Sequence, residues 1–282
     1  MLVNKLIGSN SQYLRLPFDE FIKIQNENKV TKIDFVAASP HIYIDSEKCL
    51  RVNDVQNSMN MNGISVYSLT PLPYRFSICA NGGTIQHKKT IDYYKQCILV
   101  GKELGSKYIC VTGSGANYDE NPEYLIDNAI ESLSILAEYA KNNDITVLLG
   151  TVFGDDCIIN ASTPVLVSAA DVKKVTECVD SKNLKVYMDT EVISVCGESI
   201  REWFELFGKD IRLIRFTDGN YNGYRVWGKG CLPCRKYVDT IQQNGYDGYY
   251  SMQIPGEKYF ENPVEADKEN LKYLYEIFEQ VN

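Results

Sequence analysis

The sequence predicts an α/β fold, a (β/α)8 barrel that forms a single domain over residues 1–282. Eight short apolar segments recur along the chain, and a helical pattern follows each of them. Alternating strands and helices favour parallel strands with right-handed crossovers. No low-complexity linker divides the chain, and about 250 residues is a usual length for one such barrel. A doubly wound open sheet is the alternative, but no glycine-rich phosphate fingerprint follows the first strand.

The predicted strands are near-continuous runs of Val, Ile, Leu, Phe and Tyr, which is typical of strands buried on both faces. They cover residues 5–9, 32–37, 65–70, 108–112, 146–149, 185–188, 212–216 and 249–253. The predicted helices cover residues 18–27, 46–60, 87–104, 123–141, 163–178, 198–207, 234–244 and 262–278. The second helix is poorly patterned, whereas the fourth carries apolar residues at three- and four-residue steps. Pro122 and Pro263 occupy first-turn positions, with Asn121 and Asn262 as the expected caps.

Composition and charge exclude several classes of protein. A hydrophobic fraction of 44% with 23% charged residues is ordinary for a globular domain and too apolar for disorder. The net charge of −8, without a Lys/Arg-rich segment, argues against nucleic acid as a partner. No apolar run reaches the length of about 18 residues that spans a membrane, and no secretory signal precedes the first strand. We therefore expect a cytoplasmic protein.

The nine cysteines lie at irregular spacings, so we expect reduced thiols rather than a disulfide framework. Cys231 and Cys234 alone have motif spacing. As a redox pair they would lie at a helix start, where a thiolate is stabilised. As a zinc half-site they lack a second pair, because His41 and His87 are remote in sequence.

Polar residues follow the predicted strands, and chemistry in such a barrel belongs at the carboxyl ends of its strands. Asp189 and Arg215 differ from the other polar residues there, because each follows an apolar run. An unpaired buried charge costs several kcal/mol, so each is expected to have a partner. The strand ends carry Ser9, Asn10, His41, Thr70, Thr112, Gly150, Asp189, Arg215, Asp218 and Gln253.

Sequence motifs at these strand ends occur in a characteristic order. They are Ser39-Pro-His41-Ile-Tyr43, Thr70-Pro71, Asp144-Ile-Thr-Val-Leu-Leu-Gly150, Tyr187-Met-Asp189-Thr, Ile214-Arg-Phe-Thr-Asp218-Gly-Asn220, Gly228-Lys-Gly230 and Gly245-Tyr-Asp-Gly-Tyr-Tyr-Ser-Met-Gln253. In this order the chain resembles the xylose-isomerase-like TIM-barrel superfamily. That superfamily includes sugar phosphate isomerases and epimerases and AP endonuclease family 2 barrels. The resemblance covers nearly the full length and is nearest to the fructoselysine and ketose 3-epimerases.

The resemblance implies a divalent metal held by Glu, Asp, His and Glu, one from each of strands five to eight. It also implies that the two glutamates move the proton beside the substrate carbonyl. In this chain those positions are Gly150, Asp189, Arg215 and Gln253. Glycine offers no ligand atom, arginine stays protonated, and an amide does not titrate as a general base. We therefore expect a degenerate metal site with no cofactor, and the catalytic residues stay unassigned.

Nearby carboxylates offer an alternative in which the metal site is rewired around Mn²⁺ or Mg²⁺. Asp155 and Asp156 follow the fifth strand, Glu191 lies two residues past Asp189, and Asp218 follows the seventh strand. Against this alternative, these groups lie in loops and Arg215 places a fixed positive charge against a metal.

Further candidates each have a functional and a structural interpretation. His41 is placed to bond a substrate hydroxyl or to be satisfied by backbone. Arg225 is placed to bind a phosphate or carboxylate. Trp227 is placed to cover a sugar face or to pack at a loop junction. Three tyrosines are candidates for lining the pocket, namely Tyr43, Tyr67 and Tyr74.

We expect a barrel that binds a small sugar-like or polyol ligand without a metal, either as a pseudoenzyme or with isomerase- or epimerase-type turnover of a small carbohydrate. The expected substrate-binding residues are His41, Asp189, Arg215, Asp218, Arg225 and Gln253. One alternative is a divalent-metal-dependent sugar isomerase or epimerase with rewired ligands. Another is a non-catalytic interaction subunit. Nucleic acid and membranes are not expected as partners, and a homo-oligomer is compatible with the sequence.

The sharpest expectation concerns what replaces the metal. We expect the Arg215 guanidinium to reach the vacated metal position, pair with Asp189 and donate to Gln253, with Gly150 leaving room for it. Neighbouring parallel strands lie about 4.8 Å apart, so these side chains can meet. The alternative is that Arg215 points to solvent or bonds loop carbonyls.

Overall fold

The computed structural model describes residues 2–72, 76–113, 116–117, 121–152, 162–163, 165–220, 222–255 and 257–279. Eight parallel strands form a closed barrel in which each strand pairs with the one before it in sequence and the last pairs with the first. The predicted (β/α)8 TIM barrel is therefore confirmed. The strands are β1 (Leu6–Ser9), β2 (Lys32–Ala37), β3 (Ser65–Pro71), β4 (Tyr108–Thr112), β5 (Thr146–Gly150), β6 (Leu184–Asp189), β7 (Ile211–Arg215) and β8 (Tyr249–Ser251).

Helices surround the barrel, and most begin within two residues of the sequence prediction. They are α1 (Phe18–Glu27), α2 (Val52–Asn62), α3 (Ile85–Glu103), α4 (Pro122–Lys141), α5 (Ala169–Val179), α6 (Thr190–Val195), α7 (Ile200–Phe207), α8 (Cys234–Gln243) and α9 (Pro263–Glu279). The Asn121 side chain accepts a hydrogen bond from the Glu123 backbone N–H, so the predicted cap of α4 is confirmed.

Two predicted helices begin later in the structure for local reasons, and one further helix was not predicted. Helix α2 begins later than expected, because residues 49–50 pair with residues 43–44 in a short hairpin. Helix α5 also begins later, where Ser168 and Asp171 form a capping box. Helix α6 was not predicted. It starts directly after β6, and its six residues are too few to show a helical period.

Two apolar clusters hold the barrel together. The larger one joins the outward face of the strands to the helices, with residues such as Phe35 and Leu133 fully buried. The smaller one has members from strands alone and therefore fills the interior. It consists of Ile7, Cys110, Leu148, Tyr187 and Leu213, each at most 2% exposed. Alternation along each strand makes this division, since successive side chains point to opposite faces.

A polar contact joins the first and last helical parts of the chain. The Asp267 carboxylate on α9 accepts hydrogen bonds from Gln12 Nε2 (2.7 Å), Tyr13 Oη (2.6 Å) and Gln25 Nε2 (2.9 Å). No cation contacts this buried carboxylate within the described residues. Burial raises the pKa of Asp267 to about 6, although the three donors oppose the shift.

The cysteines that the structure describes are all free, Cys231 and Cys234 included. The Cys231 thiol donates to the Gly219 carbonyl at 3.3 Å, and burial raises the pKa of the Cys234 thiol. Within the ranges given above, no helix is both long and apolar enough to cross a bilayer.

Candidate functional site at the carboxyl ends of the strands

Arg215 points into the barrel, but its carboxylate partner is Asp34 and not Asp189. Arg215 Nε lies 3.2 Å from Asp34 Oδ2, and Arg215 Nη2 donates to Thr70 Oγ1 at 2.7 Å. Asp34 is fully buried and also accepts from the hydroxyls of Ser68, Thr70 and Ser251, at 2.8–3.0 Å. The predicted pair with Asp189 is therefore wrong. Strands β1 and β8 separate β2 from β7 in the sheet, but the side chains of Asp34 and Arg215 both point into the closed barrel and meet there.

The Tyr187 ring fills the space that Gly150 leaves. A Cβ atom at residue 150 would overlap the hydroxyl-bearing end of this ring. The Arg215 guanidinium carbon lies 4.3 Å from the centroid of the same ring, which is a cation–π contact. Gly150 thus makes room for Tyr187, which in turn covers Arg215. The expectation that Gly150 makes room for Arg215 itself is therefore wrong, because Tyr187 occupies that space.

Asp189 is occupied by contacts of its own. Its Oδ1 accepts from the backbone N–H groups of Glu191 (3.1 Å) and Val192 (3.3 Å), so it caps the N-terminus of α6. Its Oδ2 accepts from the Tyr224 hydroxyl at 2.9 Å. Burial raises the pKa of Asp189, and the nearby Arg215 charge opposes that rise. The carboxylate therefore acts as a helix cap held by a tyrosine.

Three buried oxygens near these contacts have no hydrogen-bond partner in the described part of the chain. They belong to Glu191 (Oε2), Thr217 (Oγ1) and Gln253 (Oε1), each at most 6% exposed. Burial, with the neighbouring Asp189 charge, raises the pKa of Glu191 to about 7, while Arg225 opposes the shift. Gln253 does not bond Arg215, contrary to expectation. Unsatisfied buried acceptors are costly, so these atoms call for a donor from a ligand or water.

His41 has both ring nitrogens bonded within the protein. Nε2 donates to the Leu16 carbonyl at 2.8 Å, and Nδ1 accepts from Asn10 Nδ2 at 2.9 Å. Burial lowers the pKa of His41, which is consistent with this neutral tautomer. The ring also contacts Phe18 and Phe21. Of its two interpretations, the structure favours the one in which the protein itself satisfies this histidine.

Asp218 organises the loop that follows β7. Its two carboxylate oxygens accept from the backbone N–H groups of Gly219, Gly228, Gly230 and Leu232, at 2.8–3.1 Å. Gly230 is required there, because a Cβ atom would overlap the Asp218 carboxylate. Both oxygens of Asp218 therefore hold the loop in place. A role of Asp218 in substrate binding stays a prediction.

Arg225 and Trp227 are both engaged in the same region. Arg225 Nη1 contacts the carbonyls of residues 222–224, at 2.6–3.3 Å. Trp227 is 2% exposed, donates from Nε1 to the Phe216 carbonyl at 3.0 Å and packs on the Phe216 ring. The packing interpretation of Trp227 is thus favoured, and a ligand contact by Arg225 stays a prediction.

The tyrosine predictions have different outcomes. Tyr43 lies in the hairpin after β2, 37% exposed, and its hydroxyl donates to Asp45. Tyr67 lies near the start of β3 at the opposite end of the barrel, so its predicted place in this pocket is wrong. Three predicted residues fall outside the described residues: the pocket candidate Tyr74 and the alternative metal ligands Asp155 and Asp156.

Sequence reasoning missed Asp34, Tyr187 and Tyr224 as members of the site. The signal for Asp34 was available, because a carboxylate inside the apolar run 32–37 needs a buried partner. Tyr187 occupies an inward position two residues before Asp189, which strand alternation also indicates. Tyr224 arrives from a hairpin formed by residues 218–220 and 223–225, and no sequence pattern places it on Asp189.

The divalent metal implied by the sequence resemblance does not fit these residues. The position on β5 has no side chain and is covered by Tyr187, and the position on β7 holds a cation. Asp189 is bonded to a helix N-terminus and a tyrosine. Among the described residues, no group of three or more His, Cys, Asp or Glu side chains is arranged to hold a metal ion.

Comparisons with known proteins agree with this fold. The family model described as "Xylose isomerase-like TIM barrel" matches residues 32–277. A fructoselysine 3-epimerase from Shigella flexneri is 24% identical over 250 residues, covering 85% of this chain and 86% of that protein. A solved D-tagatose 3-epimerase-like protein superimposes with a TM-score of 0.79 at 17% identity, covering 99% of this chain and 100% of the other. A solved L-ribulose 3-epimerase gives 0.78 at 15% identity, covering 97% and 94%.

Proposed function

Because the chain belongs to the xylose isomerase-like TIM barrel family, we propose that it is a sugar isomerase/epimerase-like barrel with a degenerate active site. It binds a small carbohydrate or polyol at the carboxyl ends of its strands without a divalent metal. The observation that carries this proposal is the Arg215 guanidinium, fixed by Asp34 and Thr70 where a metal ligand is expected. A permanent cation there opposes any divalent ion.

The proposal of a pseudoenzyme rests on the missing acid–base groups. Epimerisation beside a carbonyl needs a base on one side of the carbon and an acid on the other. Gly150 and Gln253 stand at the two positions concerned, and neither side chain titrates in the working range. Asp189 is held by three donors and is not free to move a proton. The two strand-end carboxylates that would carry the family's proton transfer are therefore absent.

The proposal of carbohydrate binding rests on the acceptors near the strand ends. The unpartnered oxygens of Glu191, Thr217 and Gln253 are buried, and a hydroxyl-rich ligand supplies the donors that they lack. A small number of precisely placed polar groups is enough to fix the orientation of a ligand in its binding site.

Elemental analysis of protein purified without chelator, followed by calorimetric titration with D-tagatose, D-fructose and sorbitol, tests both parts. We expect less than one tenth of a metal ion per chain and saturable binding of at least one ligand after chelator treatment. Gln253→Leu should weaken that binding by about tenfold, the value of one lost hydrogen bond to a buried group. Gln243→Leu, an exposed glutamine on α8, is the matched control.

The alternatives correspond to other outcomes of the same experiment. One Mn²⁺ or Mg²⁺ per chain, with ligand binding lost on chelation, would establish a rewired metal-dependent isomerase or epimerase. Absence of binding to every carbohydrate, together with a co-purifying protein, would instead support an interaction subunit. Production of an epimer from D-fructose by metal-free protein would overturn the pseudoenzyme proposal while leaving carbohydrate binding intact.

A further inference from the structure

A cavity of about 420 Å³ lies at the amino ends of the strands, away from the site described above. Its floor consists of Tyr67, Tyr108 and Tyr249, which stand near the starts of β3, β4 and β8. The ring centroid of Tyr67 lies 5.1 Å from that of Tyr108 and 4.6 Å from that of Tyr249. Lys209 and Arg212 stand at the cavity edge. These five residues are called the amino-end cup.

The amino-end cup is separated from the opposite end of the barrel. Ile7, Cys110, Leu148 and Leu213 lie between the two ends as a buried apolar layer, each at most 2% exposed. Barrel interiors are usually filled by branched aliphatic side chains throughout. Here half-buried tyrosines replace them at one end and leave a cavity of the size that small ligands use. The apolar layer thus separates the cup from the carboxyl end of the barrel.

The Tyr67 hydroxyl is bonded within the protein, and the three floor rings are not fully covered. Tyr67 donates to the Arg212 carbonyl at 2.7 Å, which fixes the ring. All three floor tyrosines are half-buried. Rings that are fixed at low conformational cost form good stacking surfaces for a planar ligand.

The charge around the cup is positive although the whole chain is acidic. Lys209 and Arg212 are exposed and form no ion pair with any residue that the structure describes. Asp210, which lies between them, is paired with Lys185 at 2.8 Å. Lys5 Nζ and Lys32 Nζ lie 5.2 and 5.9 Å from the Tyr249 ring centroid.

One acidic residue, Asp247, also lines the cavity, and it is exposed. Lys5 lies beside it and donates to its backbone carbonyl. The cations at the cup thus outnumber the carboxylates that are available to neutralise them.

We propose that the amino-end cup binds a small planar aromatic anion, with the ring on the tyrosine floor and the anionic group at Lys209 and Arg212. The ring and the charge are both required. A tyrosine floor alone favours any apolar group, and two surface cations alone bind simple anions weakly.

Calorimetric titration with phenyl phosphate tests this proposal, with inorganic phosphate and benzyl alcohol as the two half-ligands. We expect saturable binding of one phenyl phosphate per chain, at least tenfold tighter than either half-ligand. The Lys209→Gln, Arg212→Gln double variant should weaken that binding at least tenfold. Both residues are exposed, so the variant is expected to fold. Lys268→Gln removes an exposed cation on α9 and should have no effect.

Three results would overturn the proposal. They are no saturable binding to the folded protein, equal affinity for inorganic phosphate, and unchanged affinity in the double variant. Tyr108→Leu gives a second check on the ring. It should weaken phenyl phosphate about tenfold and leave inorganic phosphate unchanged. Equal losses for both ligands would show that the floor does not stack a ring.

Discussion

Arg215 and Asp34 form a buried ion pair inside the barrel, although 181 positions separate them in the sequence. Arg215 comes from β7 and Asp34 from β2, and hydroxyls on β3 and β8 complete the contacts of the carboxylate. Removing two charges from water is costly, and good geometry with further hydrogen bonds offsets that cost. The pair is therefore expected to be tightly coupled energetically.

The first prediction tests this coupling. Arg215→Met should lower the free energy of unfolding by about 3–5 kcal/mol, because it leaves Asp34 buried without a cation. Asp34→Leu should be similarly costly, and the double variant should cost about 1–3 kcal/mol less than the sum. Urea unfolding of the wild type, the two single variants and the double variant gives the free energies of this double-mutant cycle. The matched cycle of Arg215→Met with Asp189→Asn should show the smaller coupling, and the reverse order would contradict the structure.

The second prediction concerns restoration of a metal site. Gly150→Glu, Arg215→His and Gln253→Glu, together with the retained Asp189, supply a complete ligand set for Mn²⁺ in chemical terms. The structure predicts that this triple variant binds Mn²⁺ poorly, because Tyr187 overlaps any side chain at residue 150. Adding Tyr187→Ala should make room and recover binding, as measured by calorimetric titration. Tight Mn²⁺ binding by the triple variant itself would show that the tyrosine moves aside readily.

The third prediction separates two roles of Asp189. As a helix cap, Asp189→Ala should lower the free energy of unfolding by about 1–2 kcal/mol. Asp189→Asn should retain most of the stability, because asparagine also accepts hydrogen bonds at this position. Thermal and urea unfolding measure both variants. Equal losses for the two would mean that the negative charge, and not the cap, is what stabilises the protein.

The fourth prediction concerns pH. Burial raises the pKa of Asp267 to about 6, so the folded state holds this proton more tightly than the unfolded state. The contribution of the group to stability is therefore fully present at about pH 4 and below, and it is lost as the pH rises through 6. Two pKa units correspond to about 3 kcal/mol.

The stability of the wild-type protein relative to Asp267→Asn should accordingly fall by up to that amount between pH 4 and pH 7. Urea unfolding at several pH values measures the difference. Asp127→Asn, which removes an exposed carboxylate on α4, is the control. A constant difference between wild type and Asp267→Asn across this range would count against the raised pKa.

The sequence by itself determined the architecture and what is missing from the site. The apolar runs and helical periods identify all eight barrel strands, because each strand is buried on both faces and each helix on one. The absence of metal ligands at Gly150, Arg215 and Gln253 is likewise a property of residue types, which needs no coordinates.

The tertiary structure alone decided which groups occupy the interior and with whom they pair. Periodicity tells which face of a strand Arg215 lies on, but the distance to Asp34 depends on closure of the barrel over long sequence separations. In the same way, Tyr224 reaches Asp189 through the path of a hairpin, and Tyr187 covers Gly150 through a side-chain rotamer. Buried charges pair with the partner that lies within hydrogen-bond reach, and that reach is set by packing in three dimensions.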